Sequence, residues 1–337
     1  MPVIRYLQGL GHTVTLAGND WQRKYICQTF PGIDTIHLDG YNVQYSKTGK
    51  GFLFNLFKQL PGLLKTIEAE NEWLLSEATH NNYDGIISDN RYGLYHPRIP
   101  SVIMTHQVLA QSGLGSIADN MLCGIHYKRL QHFSECWVVD VPGSPNLAGK
   151  LAHPDVMPHN AKYIGLLSQI EPASTSEEHL LVLLSGPEPQ RTLLADNLWE
   201  QVKHHNGKVV FIEGSDHVTE KGDIPPHIDY HKRITKEVLE PLIAKASLVI
   251  CRSGYSTIMD LVVLGKKAVL IPTPGQTEQI FLGKHLHKEG MYYCVSQDKF
   301  RLGEVINAVK EFPFVMPALQ NPHQQYKAVV DKWLESL

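Results

Sequence analysis

The residues best suited to chemistry in this 337-residue chain sit at three short polar breaks, each directly after an apolar run of strand type. Ser185-Gly186-Pro187-Glu188-Pro189-Gln190-Arg191 follows His179–Leu184, Arg252-Ser253-Gly254 follows Leu248–Cys251, and Pro272–Gln279, with Thr273 second in it, follows Ala268–Ile271. A helical pattern runs from the first break to about His204. Another, Tyr255–Leu264, runs from the second and stops at Gly265, as expected of a C-terminal glycine. Small residues at a helix start leave main-chain N–H groups uncovered, and the helix dipole there favours an anion. Gly186 allows close approach of a ligand. Arg191 and Arg252 add positive charge. Together these features suit a diphosphate; any one of them alone is also an ordinary strand-to-helix turn.

A second set of polar residues occupies similar places earlier in the chain. Asp89, Asn90 and Arg91 follow the strand pattern Asp84–Ser88, His106 and Gln107 follow Val102–Thr105, and Asp140 follows Cys136–Val139. His106 or Asp89 could take a proton from a hydroxyl as general base. Each is equally of a type that closes structural turns.

The elements that must position these groups alternate. In the first half, helices at Pro2–Leu10, Asp20–Phe30, Gly51–Thr79 (interrupted at Pro61-Gly62) and Ser116–Phe133 alternate with strands at Thr13–Ala17 and Ile33–Leu38 and the three above. The second half repeats the alternation from His179 to about Glu311. Helices between strands imply parallel sheets covered on both faces. Loops at the carboxyl ends of such strands are where open sheets bind ligands. The expected organisation is a first domain over 1–168, a second over 169–322 and a closing helical segment over 323–337. The polar stretch Ser168–Glu178 serves as linker. In the final helix, Tyr326, Val329, Val330, Trp333 and Leu334 fall at helical spacing, so it can cross back onto the first domain.

Composition narrows the partners. The net charge is −3 with no long basic run, which argues against nucleic acid. Five cysteines are scattered without a CxxC pair, and the eighteen histidines form no HExxH or other ligand spacing. No metal site is expected. No signal-peptide pattern or membrane-length apolar run is present, so a cytoplasmic location is expected. Residues 51–67 (GFLFNLFKQLPGLLKTI) are apolar with lysines at 50, 58 and 65. That pattern fits a core helix. It also fits a peripheral contact with the inner face of a membrane.

The Cys251–Gly254 loop, the following helix with Asp260, and the Pro272–Gln279 loop resemble the donor-binding half of GT-B glycosyltransferases. The resemblance is to the MurG-type enzymes, which move N-acetylglucosamine from UDP-GlcNAc to a lipid-linked acceptor. Ser88–Leu94 and the SGPEPQR segment look more like uncharacterised bacterial proteins of the same kind. The resemblance implies an α/β, GT-B architecture: two facing Rossmann-like domains with parallel sheets and a cleft between them. It implies that Ser185 and Gly186 form the diphosphate loop, that Arg191 meets a phosphate oxygen with Arg252 beside it, and that Ser253 and Gly254 present N–H groups. Asp260 would accept from ribose hydroxyls, as suits a carboxylate. Gln279, with Glu278 and Thr273 nearby, would bind sugar hydroxyls, as suits an amide. The backbone near Ile234 would edge the base. Asn90, Arg91, Gln107 and Asp140 would face the acceptor.

The implied reaction is transfer from a nucleotide-diphosphate sugar, UDP-linked and of the UDP-GlcNAc kind. It would invert the anomeric centre and need neither metal nor cofactor. The acceptor is not specified; a lipid-linked one would suit 51–67. One departure bears on catalysis. The related proteins carry a first strand followed by a glycine-rich loop with a histidine, whereas this chain opens on a helix, so that strand and loop are expected to be missing. Gly9-Leu10-Gly11-His12 imitates the loop but lies at the wrong end of the sheet, which rejects His12 as catalytic. A UDP-sugar hydrolase or epimerase, and a non-catalytic nucleotide-sugar binder, therefore remain as alternatives.

Overall fold

The computed structural model of the protein describes residues 1–40, 52–109, 116–170, 177–215, 222–317 and 324–337. In the first half the elements run α1 (Pro2–Gly9), β1 (Thr15–Gly18), α2 (Asp20–Thr29), β2 (Asp34–His37), α3 (Phe52–His80), β3 (Ile86–Asp89), β4 (Ser101–Thr105), α4 (Ser116–Leu130), β5 (Glu135–Val138) and β6 (Ala161–Tyr163). The second half follows with β7 (His179–Leu183), α5 (Gln190–Val202), β8 (Val209–Ile212), β9 (Ile228–His231), α6 (Lys236–Ala244), β10 (Ala246–Cys251), α7 (Tyr255–Val263), β11 (Ala268–Leu270), α8 (Thr277–Lys288), β12 (Tyr293–Cys294), α9 (Leu302–Glu311) and α10 (Gln325–Leu334).

The second half forms one six-stranded parallel sheet in the order β12-β11-β10-β7-β8-β9. Chain order reverses between β10 and β7, which makes that junction the crevice where open sheets take ligands. β7 and β10 are apolar almost throughout because helices cover both faces. On one face, Val182, Phe211 and Val269 pack with Leu194, Leu198 and Trp199 of α5 and Val305 of α9. The other face joins a core cluster shared with the first half, including Trp137, Leu147, Tyr255, Leu282 and Leu286.

The first half departs from the single sheet that the alternation predicts. β3-β4-β5-β6 form one parallel sheet, and β1 and β2 form a separate parallel pair. Among the described residues no strand lies between β1 and β3, so each keeps one edge without ladder bonds. The two pieces are held by side chains instead. Ala17 of β1 and Ile86 of β3 share a small core with Leu38, Leu74 and Leu94.

α3 is continuous through Pro61, where the sequence predicted an interruption. Residue 51 and the side chains of 52–61, on which the membrane-facing expectation mostly rests, lie outside the described residues, as do linker residues 171–176. No helix among the described residues is long and apolar enough to cross a membrane. α10 returns to the first half. Trp333 meets Trp137 edge to face at 5.6 Å, and the Tyr6 hydroxyl donates to Asp331 Oδ1 at 2.6 Å.

Candidate active site

β11, β10 and β7 are neighbours, so the three polar breaks emerge side by side at the carboxyl edge of the sheet. α5, α7 and α8 begin there at Pro189, Gly254 and Gln276, and none of these N-cap residues makes a side-chain bond, although at α5 Arg191 N donates to Pro187 O at 3.2 Å and Thr192 N to Glu188 Oε2 at 3.3 Å. Their first-turn N–H groups therefore have no intrahelical partner. Ser185 and Gly186 are exposed, and Gly186 has a φ of +104°, a conformation that L side chains rarely adopt. A methyl group on Gly186 would come within 4.0 Å of Thr273 Oγ1. Thr273 is 2% exposed, and its hydroxyl has no hydrogen-bond partner. A buried hydroxyl in that state is costly, and this one lies opposite the exposed Gly186 loop.

The side chains between the loops hold them together. Arg252 is 2% exposed, with Nη2 donating to Gln190 O at 2.7 Å and Nη1 to Ile271 O and Pro272 O, both at 3.3 Å. Burial pushes its pKa down to about 10, so it keeps its charge at neutral pH. The sequence reading set Arg252 beside the phosphates as an added charge; its guanidinium binds carbonyls from the first and third loops. The Ser253 hydroxyl donates to Gln279 O at 2.8 Å, and Gln279 Oε1 accepts from Thr273 N at 2.9 Å. Any contribution of Ser253 to a ligand is thus through the main chain. Cys251 beside them is buried, and its thiol is pushed up to about 12, which leaves it unreactive.

Arg191 also differs from expectation. It pairs with Glu188, donates from Nη1 to Gly214 O at 2.6 Å, and leaves Nε buried without a partner. A Cβ on Gly214 would lie 2.3 Å from Leu184 O, so only glycine permits this approach. Asp260 Oδ1 accepts from Ser168 Oγ at 2.7 Å and Gln169 N at 3.1 Å. Burial raises its pKa against those two bonds. That carboxylate faces the interdomain linker, where the sequence placed a ribose. Ile234, in the loop after β9, is half-buried against the shared core.

Across the cleft, Asp89 ends β3 and His106 follows β4, its hydrogen-bonded neighbour. Asp89 is exposed. Desolvation raises its pKa, although the amino terminus and His106 oppose the shift. His106 Nε2 lies 2.8 Å from Glu278 Oε1 of α8, and the imidazole stacks on Tyr255 of α7 at 4.3 Å and 7°. Tyr255 in turn donates to Val139 O at 2.7 Å. Tyr255 was missed by the sequence reading; its one signal was an aromatic residue directly after Ser253-Gly254.

Two other acceptor-side candidates are structural. Arg91 pairs with the buried Glu70 and donates to Asp39 O, which ties α3 to the β3 end. Asp140 is fully buried and accepts from Val141 N, Leu147 N, Ala148 N and His153 Nε2, so it shapes the loop after β5. Both were expected at the acceptor, and both spend their charge on the protein because a buried ion must be paired. Asn90 is exposed with a φ of 56°, its main chain turned by the left-handed geometry that asparagine tolerates. Gln107 is half-buried, its N–H donating to Thr105 Oγ1 at 3.0 Å. Among the described residues no group of three His, Cys, Asp or Glu side chains could hold a metal ion.

Residues 182–330 match the glycosyltransferase family 28 C-terminal domain. Solved structures resemble the whole chain. The glycotransferase of kitacinnamycin superposes with a TM-score of 0.67 at 16% identity, covering 99% of this chain and 94% of that one. The spinosyn rhamnosyltransferase SpnG complexed with thymidine diphosphate gives 0.64 at 16%, covering 99% and 95%. MurG of Acinetobacter baumannii gives 0.57 at 13%, covering 100% and 94%. No curated protein matches the sequence. Residues 182–330 thus match a glycosyltransferase family 28 C-terminal domain, and the chain as a whole shares the GT-B fold of the solved glycosyltransferases on which it superposes.

Proposed function

We propose that the protein moves a sugar from a nucleoside-diphosphate sugar, UDP-linked, to an acceptor hydroxyl with inversion. The observation that carries this reading is the junction of the Gly186 loop with Thr273, where an unpartnered buried hydroxyl stands beside the uncapped start of α7. The diphosphate takes N–H donors from the α7 terminus and the Gly186 loop, and the Thr273 hydroxyl. Donors fixed before the reaction stabilise charge as it develops on the leaving group, with no reorganisation cost. His106 takes the acceptor proton, the acceptor oxygen bonds to the anomeric carbon, and the carbon–oxygen bond to phosphate breaks. The electron pair leaves on the nucleoside diphosphate. Gln279, at the start of α8, flanks the sugar.

Metal independence is part of the reading, because main-chain amides supply the charge stabilisation. Calorimetric titration with UDP and with thymidine diphosphate tests both points. UDP should bind, more tightly than thymidine diphosphate, and EDTA should leave its affinity unchanged. No binding of either nucleotide would remove the donor site. A tighter thymidine complex would change the base, as the SpnG complex illustrates for that enzyme. Loss of binding in EDTA would show that a cation takes part.

A further inference from the structure

The imidazole of His106 belongs to the first domain, yet the contacts that fix it come from the second. Glu278, second residue of α8, meets Nε2 at 2.8 Å, and Tyr255, first residue of α7, lies flat against the ring at 4.3 Å. Tyr255 is itself held on the first domain through Val139 O. The contact is half-sheltered: the side chains of His106 and Glu278 are 23% and 35% exposed. A carboxylate only accepts hydrogen bonds, so this partner keeps the proton on Nε2. The lone pair then stays on Nδ1, free to take a proton. The choice of tautomer by the partner of the other nitrogen is general for histidine.

We propose that Glu278 is a positioning residue for His106, with Tyr255 as its stacking support, so that the base is set for proton transfer only when the two domains are apposed. This rests on His106 being the base, and it assigns Glu278 a role other than contact with the sugar. It also couples closure to chemistry: an open cleft carries a base with no fixed tautomer.

The test uses the full chain and two readouts. The first is 15N-histidine NMR of the ligand-free protein, with the His106 signals identified by their loss in His106→Asn. In the wild type they should show the Nε2-protonated tautomer. In Glu278→Ala, and in Glu278→Gln, which keeps the volume, they should shift toward a mixture or the other tautomer. The second is steady-state release of UDP from UDP-GlcNAc with water as acceptor. His106→Ala should lower kcat by about a hundredfold or more, the usual range for a general base. Glu278→Ala should lower kcat by about tenfold or more with the donor KM changed less than about threefold, the signature of an interaction made in the transition state.

An unchanged tautomer in both Glu278 variants overturns the pairing. So does a raised donor KM with kcat retained in Glu278→Ala, which would make Glu278 a sugar contact. Full kcat in His106→Ala overturns the base reading and the pairing with it. A tautomer shift in a protein that releases no UDP supports the pairing and counts against the proposed donor.

Discussion

Thr273 and Arg252 lie one loop apart and make opposite predictions. The Thr273 hydroxyl is buried and unpaired, so Thr273→Val keeps the shape and removes a liability. Folding stability in urea should hold or rise by about 1 kcal/mol, while UDP affinity falls by about three- to tenfold, the worth of one neutral hydrogen bond. Equal affinity in this variant would mean that the hydroxyl serves no ligand. Arg252→Met leaves three carbonyls without their donor and should cost about 2–4 kcal/mol in the same urea experiment. A loss below about 1 kcal/mol would show that the guanidinium is not holding the loops.

His126 offers a pH test at the same scale. Burial pushes its pKa from 6.5 to about 4, and its Nδ1 has no partner. The unfolded chain therefore binds the proton more readily than the folded one between those values. Its contribution to stability is complete above about 6.5 and is lost as pH falls toward about 4. Urea midpoints measured at pH 7 and pH 4.5 should differ less in His126→Gln than in the wild type; equal differences would place the acid sensitivity elsewhere.

At the scale of elements, the placement of loops was legible and the aim of side chains was not. Gly186, the Ser253-Gly254 pair and the Pro272–Gln279 turn announced three strand-to-helix junctions, because local turn chemistry is written in adjacent residues. Their adjacency follows from the sheet order. Arg252, Arg91 and Asp140 read as ligand groups because charge near a strand end is ambiguous in one dimension. Whether a guanidinium faces a cleft or a carbonyl depends on partners far along the chain, such as Gln190 for Arg252 and Glu70 for Arg91. The stacking of Tyr255 on His106 spans both domains, so no local pattern could show it. α7 brings both features together. Its N-terminus serves the proposed diphosphate and its first side chain serves the base, so a shift of this helix should disturb binding and turnover together. Gly254→Pro, which leaves Arg252 and Tyr255 in place, should lower UDP affinity in calorimetry and UDP release in the same variant. Loss of one without the other would separate the two roles.

At the scale of the molecule, the two halves meet through a shared apolar core as well as through His106 and Glu278. Gly149 is part of that meeting: a Cβ there would lie 3.0 Å from the His285 ring of α8, in a residue with a φ of +51°. Gly149→Val should therefore pry the loop after β5 from α8, and small-angle scattering should report a larger radius of gyration than for the wild type. An unchanged radius would mean that the contact adapts locally.

The divided sheet of the first half carries a consequence of its own. Among the described residues main-chain ladder bonds run within β1-β2 and within β3-β4-β5-β6 but not from one set to the other, so the α1–β2 region is tied down by side-chain packing and by side-chain hydrogen bonds such as those of Tyr6 and Arg91. Cooperativity across a sheet travels best through its ladder, and a piece outside the ladder can open by itself. Residues 1–40 should then form the most weakly protected folding unit, exchanging their amide hydrogens and yielding to protease well before the six-stranded sheet loosens.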